Sequence, residues 1–217
     1  MTARAIEIDG HVLRPDRVAA AADVVRRGGL LAMPTDTTWV VACDAFDRAA
    51  TKRLQQLRAR MSSTDENKRA DGGDRPMSLM CPDLAVVGTF VLLDQPQFRV
   101  IRRLLPGPYT IILPASRQVP RQLQSKRRAV GIRMPDHPVA TAILAAIGTP
   151  VLVATCQTAG GELLGASPDV LDLFGDELDA LVETLPIAPE PSTVVDWTGP
   201  NPRVVRLGRG VADPDWD

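Results

Sequence analysis

The sequence predicts an α/β fold: a twisted, mostly mixed β-sheet flanked by helices. Three observations carry this. Short apolar runs of strand length recur along the chain, segments of helical periodicity lie between many of them, and glycine or proline marks the junctions. Strands alternating with helices bury a sheet on both faces. With 217 residues and 45% hydrophobic content, the chain can bury one large core. Neither a repeat nor a linker divides it, so a single domain is expected over residues 1–217, with its core at about 15–208.

Residues 4–9 alternate weakly, as a short edge strand would. Val18, Ala21, Ala22 and Val25 recur at helical spacing between Pro15 and Arg27, and Gly28-Gly29 supplies the stop. Leu30–Met33 is an apolar strand. Pro34 then removes a backbone donor, and Thr35, Asp36 and Thr37 place three short polar side chains at the exit. Such a turn at the carboxyl end of a strand suits a ligand, although turn backbone alone can occupy these side chains. A second apolar run, Trp39–Cys43, follows. Asp47 is placed to cap a helix reaching about Arg60, with Ala50, Leu54 and Leu57 on its buried face.

Residues 61–74 are almost without apolar side chains and hold a glycine pair, the composition of a mobile loop. Met77–Cys81 is a strand. Asp83 and Asp94 are caps for two short helices, the second with Phe98, Ile101 and Leu105 on one face. Pro106-Gly-Pro108 breaks it. Further strands are expected at Tyr109–Leu113, Ala129–Arg133, Pro150–Thr155, Ala180–Val182, Ser192–Asp196 and Arg203–Leu207. A helix from about Val139 should stop at Gly148, and another should run from a Ser167 cap to Phe174. The tail 210–217 is polar and expected to be loose.

The net charge of −1 says nothing about partners, but its distribution does. Residues 99–133 carry nine Lys/Arg and no Asp/Glu; residues 134–202 carry ten Asp/Glu and no Lys/Arg. Folded apart, these blocks give one basic face that attracts phosphates; interleaved, they cancel. Cys43, Cys81 and Cys156 are widely spaced and form neither a disulfide framework nor a zinc motif. With two histidines, no His-based metal cluster is expected. The absence of a long apolar run excludes a spanning helix, so a soluble, cytoplasmic protein without a membrane partner is the expectation.

No phosphate-binding glycine loop follows a strand. A nucleotide must then be held by basic side chains, for which Arg58 and Arg60 at a helix end are candidates, unless they serve that helix's dipole. Arg133, ending a strand, can aim a guanidinium at a carboxylate. His137, between Asp136 and Pro138, reads as structural.

Pro34-Thr-Asp-Thr-Thr-Trp-Val-Val-Ala-Cys-Asp44 resembles the opening motif of the YrdC family, and the likeness continues in order to about Gly208. It is closest to the YciO branch at Ser78-Leu-Met-Cys81, Pro106-Gly-Pro-Tyr-Thr110 and Gly131-Ile-Arg-Met-Pro135. The resemblance implies a YrdC-like domain around a basic crevice. It implies synthesis of threonylcarbamoyl-adenylate from L-threonine, bicarbonate and ATP with Mg2+, for a tRNA adenosine modification. ATP would meet Arg58, Arg60, Arg75, Gln157 and Arg206; L-threonine would meet Thr37, Arg133, Thr155 and Ser192. Implied partners include double-stranded RNA or tRNA and the threonylcarbamoyl-transfer machinery. Several positions depart from the pattern, among them Arg58, which stands for Lys, and Ala159, which stands for Ser. Thr155 and Gln157 stand for Ser and Asn, each one carbon longer, and Met80 stands for a threonine-contacting His. These departures admit an alternative: a YciO-type relative with lost or altered synthesis that binds nucleotide or double-stranded RNA.

Overall fold

The computed structural model describes residues 3–61, 77–214 and 216. The stretch expected to be a mobile loop, apart from Met61, lies outside the described residues, as does Arg75.

Among the described residues, ten strands form one mixed sheet. They are β1 (Arg4–Glu7), β2 (Leu31–Met33), β3 (Val40–Asp44), β4 (Ser78–Met80), β5 (Tyr109–Pro114), β6 (Ala129–Arg133), β7 (Val151–Thr155), β8 (Ala180–Glu183), β9 (Thr193–Asp196) and β10 (Arg203–Arg206). Their spatial order is β1-β8-β2-β3-β7-β4-β6-β5-β9-β10. Six α-helices are described: α1 (Pro15–Arg26), α2 (Arg48–Met61), α3 (Leu84–Phe90), α4 (Gln95–Leu104), α5 (Pro138–Ile147) and α6 (Ser167–Phe174). The mixed α/β single domain expected from the alternation is the one observed.

Period-two alternation sorts the strands between two cores. Leu31, Met33, Val40 and Ala42 pack with Met80, Val151 and Val153 under α1 and α5. Ala32, Val41, Cys43, Leu79, Ile132 and Leu152 point the other way, toward residues of α2, α3, α4 and α6. Strands buried on both faces are continuously apolar for this reason. All three cysteines lie here; burial pushes the Cys43 and Cys81 thiols up to about 12 and raises Cys156 as well. Such thiols are inert.

The local signals hold in detail. The Asp47 carboxylate accepts from the amides of Ala49 and Ala50. Asp83 accepts from Val86, and Asp94 forms a capping box with Gln97. Gly148 ends α5 at φ 78°, the left-handed conformation that favours glycine. Two expectations are corrected. Ser167 is the first residue of α6, not its cap; Ala166 holds that position without a side-chain bond. Ile101 is fully buried but Phe98 is 37% exposed, because the shared face of α4 extends past the edge of the core. The tail is pinned where it begins: Gly210 is buried, its carbonyl accepts from the Thr193 hydroxyl, and Tyr109 Oη donates to Val211 O.

The two charge blocks meet at Asp196: Arg127 reaches it at 3.3 Å, and Arg203, outside both blocks, also reaches it, at 3.9 Å. Burial works to raise the Asp196 pKa, but bonds from Thr198 and the two cations outweigh it and hold it low. Of the nine cations in 99–133, Arg133 alone is buried.

Candidate functional site

Past the α1–α5 pair, the same sheet face changes from apolar to polar. Register places the polar positions side by side. Ser78 lies opposite Gly131 on β6 and Val153 on β7, and Gly131 lies opposite Ile112. Thr110 aligns with Val194, and Arg206 with Val194 from the other side. Thr155, exposed at the end of β7 opposite Val40, continues the face. Ser78, Gly131, Thr110, Ser192 and Arg206 thus form a strip across five strands or their immediate ends.

One end of the strip is closed by Arg133, 5% exposed. Its Nη2 reaches Thr35 Oγ1 at 3.0 Å and Asp36 Oδ1 at 2.6 Å, and also Thr37 Oγ1. Two hydrogens facing three oxygens must be shared. The Pro34–Thr38 turn is built to present those oxygens. The Thr35 hydroxyl donates to Thr38 O and accepts from the amides of Thr37 and Thr38, folding the turn on itself. Both readings of this turn therefore apply: its hydroxyls satisfy backbone and also face a charge.

The pair Arg133–Asp36 is deeply buried, and both side chains keep unused capacity. Asp36 Oδ2, Arg133 Nε and the nearby His137 Nδ1 have no hydrogen-bond partner among the described residues. Burial pulls the Arg133 guanidinium below its ordinary value, with Asp36 opposing. It stays charged, since guanidinium keeps its proton in proteins.

His137 caps the backbone start of α5 and is half-buried. Burial lowers its pKa from 6.5, against the pull of Asp36 and Asp136. The unfolded chain then binds more protons there than the fold does, so stability rises with pH across this titration. The contribution is complete above about 6.5 and is lost as pH falls through the lowered value. A melting series from about pH 7.5 to 5.5 should therefore fall less steeply for His137→Asn than for the parent chain.

Beside Arg133 stands a second group. Thr110 Oγ1 and Ser192 Oγ are 2.8 Å apart, and Arg206 donates to Ser192 O at 3.1 and 2.8 Å and to Ser192 Oγ at 3.2 Å. A bulge makes this possible. Val204 pairs with Val195, but Arg206 pairs with Val194, so Val205 is the extra residue. Simple alternation would put Arg206 on the face of Val204; the bulge moves it to the face of Ser192.

Thr37, Arg133 and Ser192 are thus drawn together, with Thr37 O accepting from the Glu190 amide two residues before Ser192. Thr155 lies on the same face. The nucleotide candidates are more scattered. Gln157 donates to Met61 O at 3.0 Å, joining the exit of β7 to the end of α2. Arg60 pairs with Glu177, beyond α6, whereas Arg206 is directed to Ser192. Arg58 is half-buried on α2. The position of the expected histidine, Met80, is fully buried under α5 and points into the apolar core. Reasoning from sequence missed Arg209, whose guanidinium donates to Asp36 O at 2.7 Å. No group of three or more His, Cys, Asp or Glu among the described residues could hold a metal ion, and no described helix is long and apolar enough to cross a membrane.

A family model for Sua5, YciO and YrdC proteins, described as "Telomere recombination", matches residues 23–208. The uncharacterized protein YciO of Escherichia coli (strain K12) is 33% identical over 196 residues, 89% of this chain and 90% of its own. A threonylcarbamoyl-AMP synthase of Marinobacter nauticus is 30% identical over 182 residues, 83% of this chain and 90% of its own. The crystal structure of E. coli YciO superposes with a TM-score of 0.88 at 29% identity, covering 98% of this chain and 99% of that one. P. abyssi Sua5 complexed with L-threonine shares the fold, with a TM-score of 0.82 at 23% identity over 94% of this chain and 57% of that one.

Proposed function

The chain belongs to the Sua5/YciO/YrdC family, and from that premise we propose that it is a threonylcarbamoyl-AMP synthase-like enzyme that joins L-threonine, bicarbonate and ATP on the polar strip. The observation that carries the reading is the buried Arg133 between the Thr35–Thr37 turn and the Thr110–Ser192 hydroxyl pair. A guanidinium at the head of a hydroxyl-lined strip suits a small amino acid, whose carboxylate it would meet. The threonine amine would take up bicarbonate as a carbamate with loss of water. The carbamate oxygen would then attack the α-phosphorus, breaking its bond to the bridging oxygen and releasing pyrophosphate. No protein nucleophile enters; the chain's task is positioning and charge. Arg206, beside Ser192, and Gln157, which follows β7 and bonds the end of α2, would be its nucleotide contacts. A magnesium ion would come with the triphosphate, since the described residues form no metal cage, and its own ligands would be phosphate oxygens.

Pyrophosphate release with ATP, threonine, bicarbonate and magnesium, each omitted in turn, tests the reading. Release that persists without threonine, or no release at all, overturns it. Gly131 supplies a sharper variant. A Cβ there would stand 2.8 Å from Ser78 Oγ and 3.4 Å from Thr110 Cγ2, in the middle of the strip. Gly131→Ala should weaken threonine or ATP binding by tenfold or more in calorimetry, while the overpacking costs about 1–3 kcal/mol in denaturant titration. Unchanged affinity for both would place the ligands elsewhere.

The alternative, a relative that binds nucleotide without synthesis, has one observation in its favour. The Gln157 amide is held by Met61 O. ATP binding with no pyrophosphate release would select it.

A further inference from the structure

The C-terminal strand does more than complete the sheet. After β10 the chain returns along residues 187–193, and Arg209 fastens three pieces of structure with one side chain. Its Nη1 donates to Asp36 O at 2.7 Å, its Nη2 to Ala188 O at 2.6 Å, and its Nε meets Glu190 Oε2 at 3.2 Å. Its backbone amide donates to Pro191 O at 2.9 Å. The segment so held is itself stitched to the site: Ile187 N donates to Gly165 O, and Glu190 N donates to Thr37 O.

We propose that Arg209 is a positioning residue for the amino-acid site, holding the Thr35–Thr37 turn against Arg133 through the Asp36 carbonyl. The argument rests on reach and geometry. The turn closes on itself through Thr35, and Glu190 N holds Thr37 O; the carbonyl between them, Asp36 O, is held from outside by Arg209. Two of the three guanidinium nitrogens take backbone carbonyls from segments 152 residues apart in sequence, Asp36 and Ala188. The third takes a carboxylate, Glu190, whose own amide bonds the turn. A planar fork can hold three acceptors in fixed directions, and an ammonium on a flexible stem cannot. Arg209 touches no atom that the proposed reaction transforms; its effect passes through Asp36 to Arg133 and onward to the amino acid.

This inference rests on the proposed amino-acid site, so its test has one arm that needs no ligand. In amide hydrogen exchange, Arg209→Ala should accelerate Thr37, Thr38 and Glu190 by tenfold or more and leave Val41 and Leu152 unchanged. Unchanged exchange at the first three, or equal acceleration throughout the sheet, overturns the proposal. In the second arm, calorimetry with L-threonine and with ATP, Arg209→Ala should lose about tenfold in threonine affinity with ATP affinity within twofold. In pyrophosphate assays the loss should fall on KM for threonine more than on kcat, and Arg209→Lys should recover part of it. Equal threonine affinity in variant and parent overturns the positioning role. If the parent chain binds no threonine, the functional reading fails, and the exchange arm still decides whether Arg209 restrains the turn.

Discussion

Arg133→Ala should abolish threonine binding and cost about 3–5 kcal/mol of stability. The side chains of Arg133 and Asp36 are 6% and 9% exposed, so neither charge has water to fall back on. Removing the guanidinium leaves a buried carboxylate whose Oδ2 already has no partner among the described residues. It also strips the Thr35 and Thr37 hydroxyls of the donor they converge on. For a chain of this size the loss corresponds to a melting temperature lower by on the order of 10 °C. Asp36→Asn in the same chain should restore part of the stability, because the uncompensated charge is gone, without restoring binding. Stability is read by denaturant titration and binding by calorimetry. Threonine affinity equal to that of the parent chain would remove Arg133 from the site, and a stability loss under about 1 kcal/mol would mean that water reaches Asp36.

Arg133 also shows why this part of the site was legible in the sequence. A cation ending an apolar strand is conspicuous by type and position, and the Thr-Asp-Thr turn is conspicuous for the same reason. Periodicity located the strands and helices because each has one buried face, and the Asp47, Asp83 and Asp94 caps act within three residues of their own position. Arg206 was picked out by resemblance, at a position where alternation allows an inward-facing side chain, but the register that turns it inward is not written in its own strand. Its orientation depends on the extra residue Val205, and a bulge is a property of two paired strands. Arg209 left no local signal: its partner Asp36 lies 173 residues away, and surface arginines are common. The pairing of Arg60 with Glu177, beyond α6, likewise left no local signal. Long-range pairing of this kind is invisible to any window of local sequence.

The second large effect is expected at Gly208, where the site depends on two backbones touching. A Cβ there would lie 2.0 Å from Pro191 O and 2.7 Å from both Pro191 C and Ser192 C. These are main-chain atoms, so no rotamer change can relieve the clash. The end of β10 would have to move away from the start of β9. That movement breaks the bond from the Gly208 amide to Thr193 Oγ1 and the bond from the Arg209 amide to Pro191 O. It would also draw Arg206 from Ser192 and Arg209 from Ala188, emptying one side of the strip of its cations. Gly208→Ala should therefore cost about 3 kcal/mol, at the upper end for an inserted methyl, and reduce threonine affinity more than tenfold. Gly210→Ala is the informative comparison. A Cβ at Gly210 would lie 2.5 Å from Tyr109 Cε1, an atom of a half-buried side chain whose ring can tilt aside. Its cost should be smaller and its effect on threonine slight. Measured by denaturant titration and calorimetry on both variants, an equal loss of stability would show that β9 and β10 separate easily. The close backbone contact at Gly208 would then not be what holds Ser192 and the two arginines in place.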